Sequence, residues 1–180
     1  MSQECAHDPP SPFVIRWATA LAGSVPAPRR ALDVAMGRGR HAIVLGQAGF
    51  RVFGVDLKLD AVREALERAA AYGLPVRGWC ADLTQSPLPR EAFELVVVTR
   101  YLQRDLFASI REALTPDGVV VYETFTVNQR ALGAGPTSPD HLLQPGELRE
   151  RFRDFDVVFC EEVSAPEALA RIVARRPRSA

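Results

Sequence analysis

The chain has 180 residues, 47% of them apolar and 24% charged, which is the composition of an ordinary globular protein with length for one domain and a substantial core. Lys plus Arg (22) balance Asp plus Glu (22), so no overall positive field draws the chain to nucleic acid or to an anionic membrane; a local patch in the arginine-rich tail Arg171, Arg175, Arg176 and Arg178 stays open beside a solvated face. The three cysteines, Cys5, Cys80 and Cys160, are odd in number and lack metal-ligand spacing, which argues against a disulfide framework or zinc site and for a reduced cytoplasm.

Residues 1 to about 11 are polar and proline-containing, and are expected to be disordered. No basic-then-apolar leader is present, and no apolar run approaches the roughly 20 residues that span a bilayer, so neither export nor membrane insertion is expected. From Pro12 to Ala22, Phe13, Trp17 and Leu21 recur at a spacing of four, which predicts a helix with one apolar face and proline in its first turn. Short apolar runs follow at Ala31–Ala35, Arg51–Val55, Val76–Trp79, Leu95–Thr99 and Val119–Tyr122. Helix-like segments at Arg40–Ala48, Leu59–Tyr72 and Arg104–Leu114 lie between them. That alternation predicts an α/β fold with a doubly wound, mostly parallel sheet and helices on both faces. Thr115-Pro-Asp-Gly118 reads as a turn before the fifth strand. Residues 125–146 are rich in Gly, Pro, Asn and Ser, and are too long for a simple connection, which suggests a lid on the substrate side. A short helix from Gly146 to Phe152 and strands at Asp156–Val163 and Ala170–Ala174 complete about seven strands.

The chemistry concentrates after the first three strands. In Ala31-Leu-Asp-Val-Ala-Met-Gly-Arg-Gly-Arg40, Gly37 and Gly39 flank Arg38 and let the backbone turn sharply beside a ligand, although turns need glycine for structural reasons as well. Asp56 ends the second run, about 20 residues beyond Asp33, the interval at which such a fold sets a carboxylate against ribose hydroxyls. Cys80-Ala-Asp82-Leu83 puts a third acid after the third run, where it either meets an exocyclic amine or caps a turn.

These segments, with Leu114-Thr-Pro-Asp-Gly118, resemble the motifs of the class I S-adenosylmethionine-dependent methyltransferases from about Ala31 to Tyr122, and are most similar to those of small bacterial tellurite-resistance-type enzymes. The resemblance implies a Rossmann-like seven-stranded sheet, S-adenosylmethionine as cofactor with S-adenosylhomocysteine as product, and no metal. It implies that Asp33 underlies the methionine part, that Gly37, Arg38 and Gly39 line it, that Asp56 and Leu57 meet the ribose, that Ala81, Asp82 and Leu83 meet the adenine, and that Thr99 borders the site. The family's first loop glycine is Ala35 here, which leaves the fit of the cofactor open. The nicotinamide pattern Gly-x-Gly-x-x-Gly is absent, since Ala42 follows at the third place.

Methyl transfer from a sulfonium is an in-line displacement, so the protein must align a nucleophile and, where it is protonated, take its proton. The fourth strand exits into Thr99-Arg100-Tyr101-Leu102 in place of the Asn/Asp-Pro-Pro-Tyr/Phe of amide and base methyltransferases, which favours a small-molecule acceptor over nucleic acid. Arg100 and Tyr101, with Arg104 next, are the acceptor-side candidates; Arg100 either holds an oxyanion or pairs with a surface acid. Glu123 is either a general base or a structural partner of an arginine, and His141 is the histidine of the expected lid. His41 is expected to shape the cofactor site. A sensor or accessory subunit that binds the cofactor without turnover is the alternative. Partners other than the small acceptor, including the oligomeric state, have no signature in the sequence.

Overall fold

The computed structural model describes residues 9–25 and 27–178, so the expected disorder before residue 9 lies outside the described residues. In chain order it contains α1 (Pro12–Ala22), β1 (Arg30–Val34), α2 (Arg40–Gln47), β2 (Arg51–Asp56), α3 (Leu59–Ala71), β3 (Arg77–Cys80), β4 (Phe93–Thr99), α4 (Leu106–Ala113), β5 (Leu114–Phe125), α5 (Glu147–Arg151), β6 (Asp156–Val163) and β7 (Leu169–Arg175). The seven strands form one sheet in the order β3-β2-β1-β4-β5-β7-β6. All pairs up to β4–β5 are parallel, while β7 runs antiparallel to both β5 and β6. The fold is therefore doubly wound, with a switch of direction between β1 and β4, and its last hairpin is antiparallel.

Apolar pattern explains the layering. β4 is buried at every position, as a central parallel strand covered on both faces must be. Its Val96 and Val98 join one cluster with Leu106, Phe107 and Ile110 of α4, Leu148 of α5 and Phe152 at the end of α5. Its Leu95 and Val97 join another with Phe13, Val14, Ala18 and Leu21 of α1 and Ala42 and Leu45 of α2. Each face thus carries its own core. α3 packs beside α2 through Val62 and Ala65 against Met36. At the far end of the sheet, Glu94 is buried, and its carboxylate accepts from the Arg30 amide (2.6 Å) and from the Arg30 guanidinium (2.7 Å), clamping the start of β1 to β4.

The connection from β3 to β4 consists of turns, with Leu88 plugging the core. One expectation is corrected. The expected turn at Thr115–Gly118 is absorbed into β5: Leu114 already pairs with Phe93, and the turn chemistry survives as a register shift, with Asp117 at φ 63°. The segment expected as a lid is fixed at both ends. It holds short 3-10 helices at Val127–Leu132 and Pro139–His141, Thr126 bridges Leu143, and Leu142 and Leu143 are fully buried. The hydrophobic cost of exposing two leucines holds that end in place.

Candidate functional site

The site grows from the loop between β1 and α2. Three of its residues have left-handed backbones: Ala35 (φ 52°), Gly37 (φ 52°) and Gly39 (φ 76°). A Cβ on Gly39 would stand 2.8 Å from that of Ala65 on α3, so this glycine lets two helices touch; a Cβ on Gly37 would meet nothing within 4 Å, because that residue opens onto a cavity. The Asp56 carboxylate ties the loop to the end of β2. One oxygen accepts from the Gly37 amide (2.8 Å) and the other from the Lys58 amide (2.9 Å).

The cavity measures about 830 Å³ and lies at the C-terminal ends of β1, β2 and β3, beside the switch point, where open α/β sheets take their ligands. Ala35, Gly37, Arg38, Asp56, Leu57, Ala81, Asp82, Leu83 and Tyr101 line it. So do residues that sequence reasoning missed, among them Leu59 and Glu64 on α3. Their signal was weak because a helix face that borders a cavity is indistinguishable by period from one that borders solvent. Asp82 also caps a turn: its carboxylate accepts from the Thr84 amide (2.9 Å) and hydroxyl (2.7 Å), which holds its pKa below the ordinary value. The Tyr101 hydroxyl donates to the Gln103 side chain (2.5 Å), whose amide donates to the Leu83 carbonyl (3.1 Å), joining the exit of β4 to the β3–β4 connection. Burial pushes the Tyr101 phenol up.

Beneath the loop lies Asp33, 1% exposed, with no hydrogen-bond partner for either carboxylate oxygen. Burial pushes its carboxyl up to about 7, and the nearby Ala42 amide and Arg40 guanidinium pull it back only in part. An orphaned buried carboxylate under a glycine loop fits the ammonium group of an amino-acid-bearing nucleoside. With the open space at Gly37 and the acid at Asp56, the residues present fit S-adenosylmethionine.

A polar chain runs away from this cavity. The His41 Nε2 accepts from the Ser11 amide (3.0 Å), which leaves the proton on Nδ1 to be donated to the Thr99 hydroxyl (2.9 Å). Burial, reinforced by Arg40 and Arg100, pushes His41 down to about 3, so the ring stays neutral. The Ser11 hydroxyl donates to Glu123 (2.6 Å), whose other oxygen accepts from Arg171 (2.5 Å). Thr99, expected at the cofactor, is therefore buried against His41, and Glu123 is bound into an ion pair. Three further candidate residues do not line the larger cavity. His141 is exposed in its 3-10 helix and lines none of the cavities described here. Arg100 pairs with Glu167 through both carboxylate oxygens (3.0 and 2.9 Å). Arg104 forks onto Glu147 (2.8 and 2.9 Å) and donates to the Leu142 carbonyl (2.9 Å), stapling the end of the 125–146 segment to α4. Burial works to raise the Glu147 carboxyl, but the donors Arg104, the Gln144 amide and Arg151 outweigh it and hold it at about 2. Among the described residues no group of three or more His, Cys, Asp and Glu could hold a metal ion, and no helix is long and apolar enough to cross a membrane.

A switch-point cavity bounded by a glycine loop and by acids at successive strand ends is the place where doubly wound proteins take nucleotide-like ligands. Residues 31–118 match the family described as a methyltransferase domain. The chain is 34% identical over 105 residues to the malonyl-[acyl-carrier protein] O-methyltransferase of Halorhodospira halophila, covering 54% of this chain and 35% of that one. It is 34% identical over 88 residues to the protein-L-isoaspartate O-methyltransferase of Stenotrophomonas maltophilia, covering 49% and 39%. The chain thus spans well under half the length of these relatives. Its fold resembles that of TehB from Haemophilus influenzae, with a TM-score of 0.71 at 16% identity over 88% of this chain and 61% of that one. The likeness to a methyltransferase domain thus covers residues 31–118, which include every residue lining the larger cavity.

Proposed function

We propose that this chain moves a methyl group from S-adenosylmethionine to a small-molecule acceptor in the cytoplasm and releases S-adenosylhomocysteine. The observation that carries the reading is the cavity of about 830 Å³ in which Gly37 opens onto free space directly above the Asp56 carboxylate that braces it. Asp56 has spent one acceptor position on each oxygen, and a carboxylate offers about four, so two remain for vicinal ribose hydroxyls. Asp33 takes the ammonium group, Leu57 and Leu83 flank the base, and Asp82 accepts from its exocyclic amine. The cofactor, when bound, supplies a methyl on a positively charged sulfur, which needs no further activation.

The protein's task is alignment. Arg100 and Tyr101 are consecutive, and each lines a different cavity, Tyr101 the larger and Arg100 a smaller one toward β5 and β7. The acceptor is held where these two meet, within reach of an in-line attack. Glu123, tied to Arg171 and Ser11, acts as a positioning residue in this scheme, and the exposed His141 is left without a role. Arg104 acts on the 125–146 segment rather than on the acceptor.

Calorimetry with S-adenosylmethionine and S-adenosylhomocysteine tests the cofactor half. Micromolar binding, about −8 kcal/mol, weakened about tenfold or more in Asp56→Ala, is the expected result. Absence of binding to both ligands overturns the reading. Release of S-adenosylhomocysteine over a panel of small acceptors then separates a transferase from a protein that only binds the cofactor.

A further inference from the structure

Among the described residues three carboxyl groups are buried, and they are held very differently. Glu94 accepts from Arg30, and Glu123 accepts from Ser11 and Arg171. Asp33 has no donor on either oxygen. An ionised carboxylate with neither water nor a donor is so unfavourable that the group takes up a proton instead. Its surroundings leave that balance in place. Burial dominates and pushes the carboxyl up to about 7; from α2 the Ala42 amide and the Arg40 guanidinium pull it down, and from β2 Asp56 pushes it further up. On the two flanking strands Asp33 is paired with Gly54 and Val97, which carry no charge. His41, also on α2, stays neutral, and α1 packs the apolar Phe13, Val14 and Ala18 onto the sheet.

We propose that Asp33 makes ligand binding a proton-linked event: it carries a proton in the free protein and yields it to solvent when the ammonium group of an amino-acid-bearing nucleoside binds. The inference rests on the methyltransferase reading and adds a regulation of that same site. In the step, the O–H bond of the Asp33 carboxyl breaks, the proton passes to water or buffer, and the remaining carboxylate pairs with the ligand's ammonium. Asp33 lies beneath the loop whose Ala35 and Gly37 line the larger cavity, so a cation lodged against that loop is the donor its oxygens lack. Asp56 and Asp82 differ from it, since each already accepts from a backbone amide. Below pH 7 the ligand must first displace the proton, and its affinity falls as the pH falls; above pH 7 the carboxyl is already ionised and the affinity levels off. A nucleoside without the ammonium gains nothing from Asp33 and releases nothing.

Calorimetry of the full-length protein at pH 6 and pH 8, each in two buffers of different ionisation enthalpy, counts the protons exchanged. With S-adenosylhomocysteine the expected result is release of about 0.9 proton at pH 6 and about 0.1 at pH 8, with affinity rising about tenfold between them. With 5′-methylthioadenosine, which keeps the nucleoside and lacks the amino acid, no proton is released and the affinity is the same at both pH values. Asp33→Asn, shown to fold by thermal melts, should bind S-adenosylhomocysteine without releasing a proton and without the pH dependence. The comparison of the two ligands in the parent protein decides the matter even where the variant does not fold. In the free parent, carbon-13 NMR should find one aspartate carboxyl titrating near pH 7, and saturating S-adenosylhomocysteine should remove that step. Binding of S-adenosylhomocysteine without proton release, equal release by the two ligands, or a release that survives in Asp33→Asn each overturns the proposal and leaves the methyltransferase reading standing. If neither ligand binds, that reading falls and the proposal falls with it.

Discussion

At the scale of single residues, two buried groups with opposite protonation behaviour sit near each other around Arg40. Asp33 has a folded pKa raised from 3.8 to about 7, and His41 one lowered from 6.5 to about 3. Between about pH 4.5 and 6.5 the folded chain keeps one proton on Asp33 and none on His41, whereas the unfolded chain carries none on the aspartate and one on the histidine. The two contributions to the pH dependence of stability cancel. Removing either partner uncovers the other. Relative to the parent, Asp33→Asn should gain about 1.4 kcal/mol of unfolding free energy per pH unit as pH rises through this window, because the lost aspartate was the group whose contribution falls with rising pH. His41→Gln should lose by the same slope. Urea unfolding at pH 4.5, 5.5 and 6.5 measures both; parallel curves for parent and variants would mean that neither group is held as described. Ala35 is explained at this scale too. Its left-handed backbone is the conformation that favours glycine at the family's position, and alanine accepts it at a strain of about 1 kcal/mol, without closing the cavity it lines.

At the scale of elements, the glycine loop makes a sharper prediction, since Gly37 and Gly39 share a left-handed backbone but face different surroundings. Gly37→Ala should cost only the backbone strain, about 1 kcal/mol, while its new methyl enters the cavity and weakens S-adenosylhomocysteine binding about tenfold. Gly39→Ala drives a methyl against Ala65, so about 1–3 kcal/mol of overpacking adds to the strain and stability falls more than affinity. Melts and calorimetry on both variants check the contrast, and an equal loss of affinity in the two would refute it. The loop, its flanking acids and α1 were legible in the sequence because each depends on neighbours within a few residues or on the strand-end geometry common to parallel sheets. The acceptor side was not. Ser11 with Glu123, His41 with Thr99 and Arg100 with Glu167 are contacts between segments far apart in the chain, and no periodicity announces them. Likewise, the turn residues Thr115–Gly118 were overridden by pairing of β5 on both flanks.

At the scale of the whole molecule, the sheet divides the labour. β1, β2 and β3 carry the cavity that fits the cofactor, and the antiparallel β6–β7 hairpin lies at the other end of the strand order. A ligand that binds only the folded state stabilises it by about 2.7 kcal/mol at a hundredfold excess over Kd, which for a chain of this size raises Tm by about 5–10 °C. The fold itself dictates where that stabilisation is felt. Amides of the glycine loop, of the Asp56–Ala61 stretch that opens α3, and of Ala81–Thr84 border the cavity and open locally at modest cost, since loops and helix ends belong to the low-stability part of a structure. Hydrogen exchange with saturating S-adenosylhomocysteine should therefore slow at residues 35–40, 56–61 and 81–84 first, and leave β6 and β7 changed only as far as global stability rises. Selective protection of the β6–β7 hairpin would put the ligand on the wrong half of the sheet. In Asp56→Ala the rise in Tm at the same ligand concentration should fall to about half or less, since a tenfold loss of affinity leaves about 1.4 kcal/mol of the stabilisation, and the local slowing should weaken with it, because one carboxylate both braces the Gly37 amide and faces the ligand.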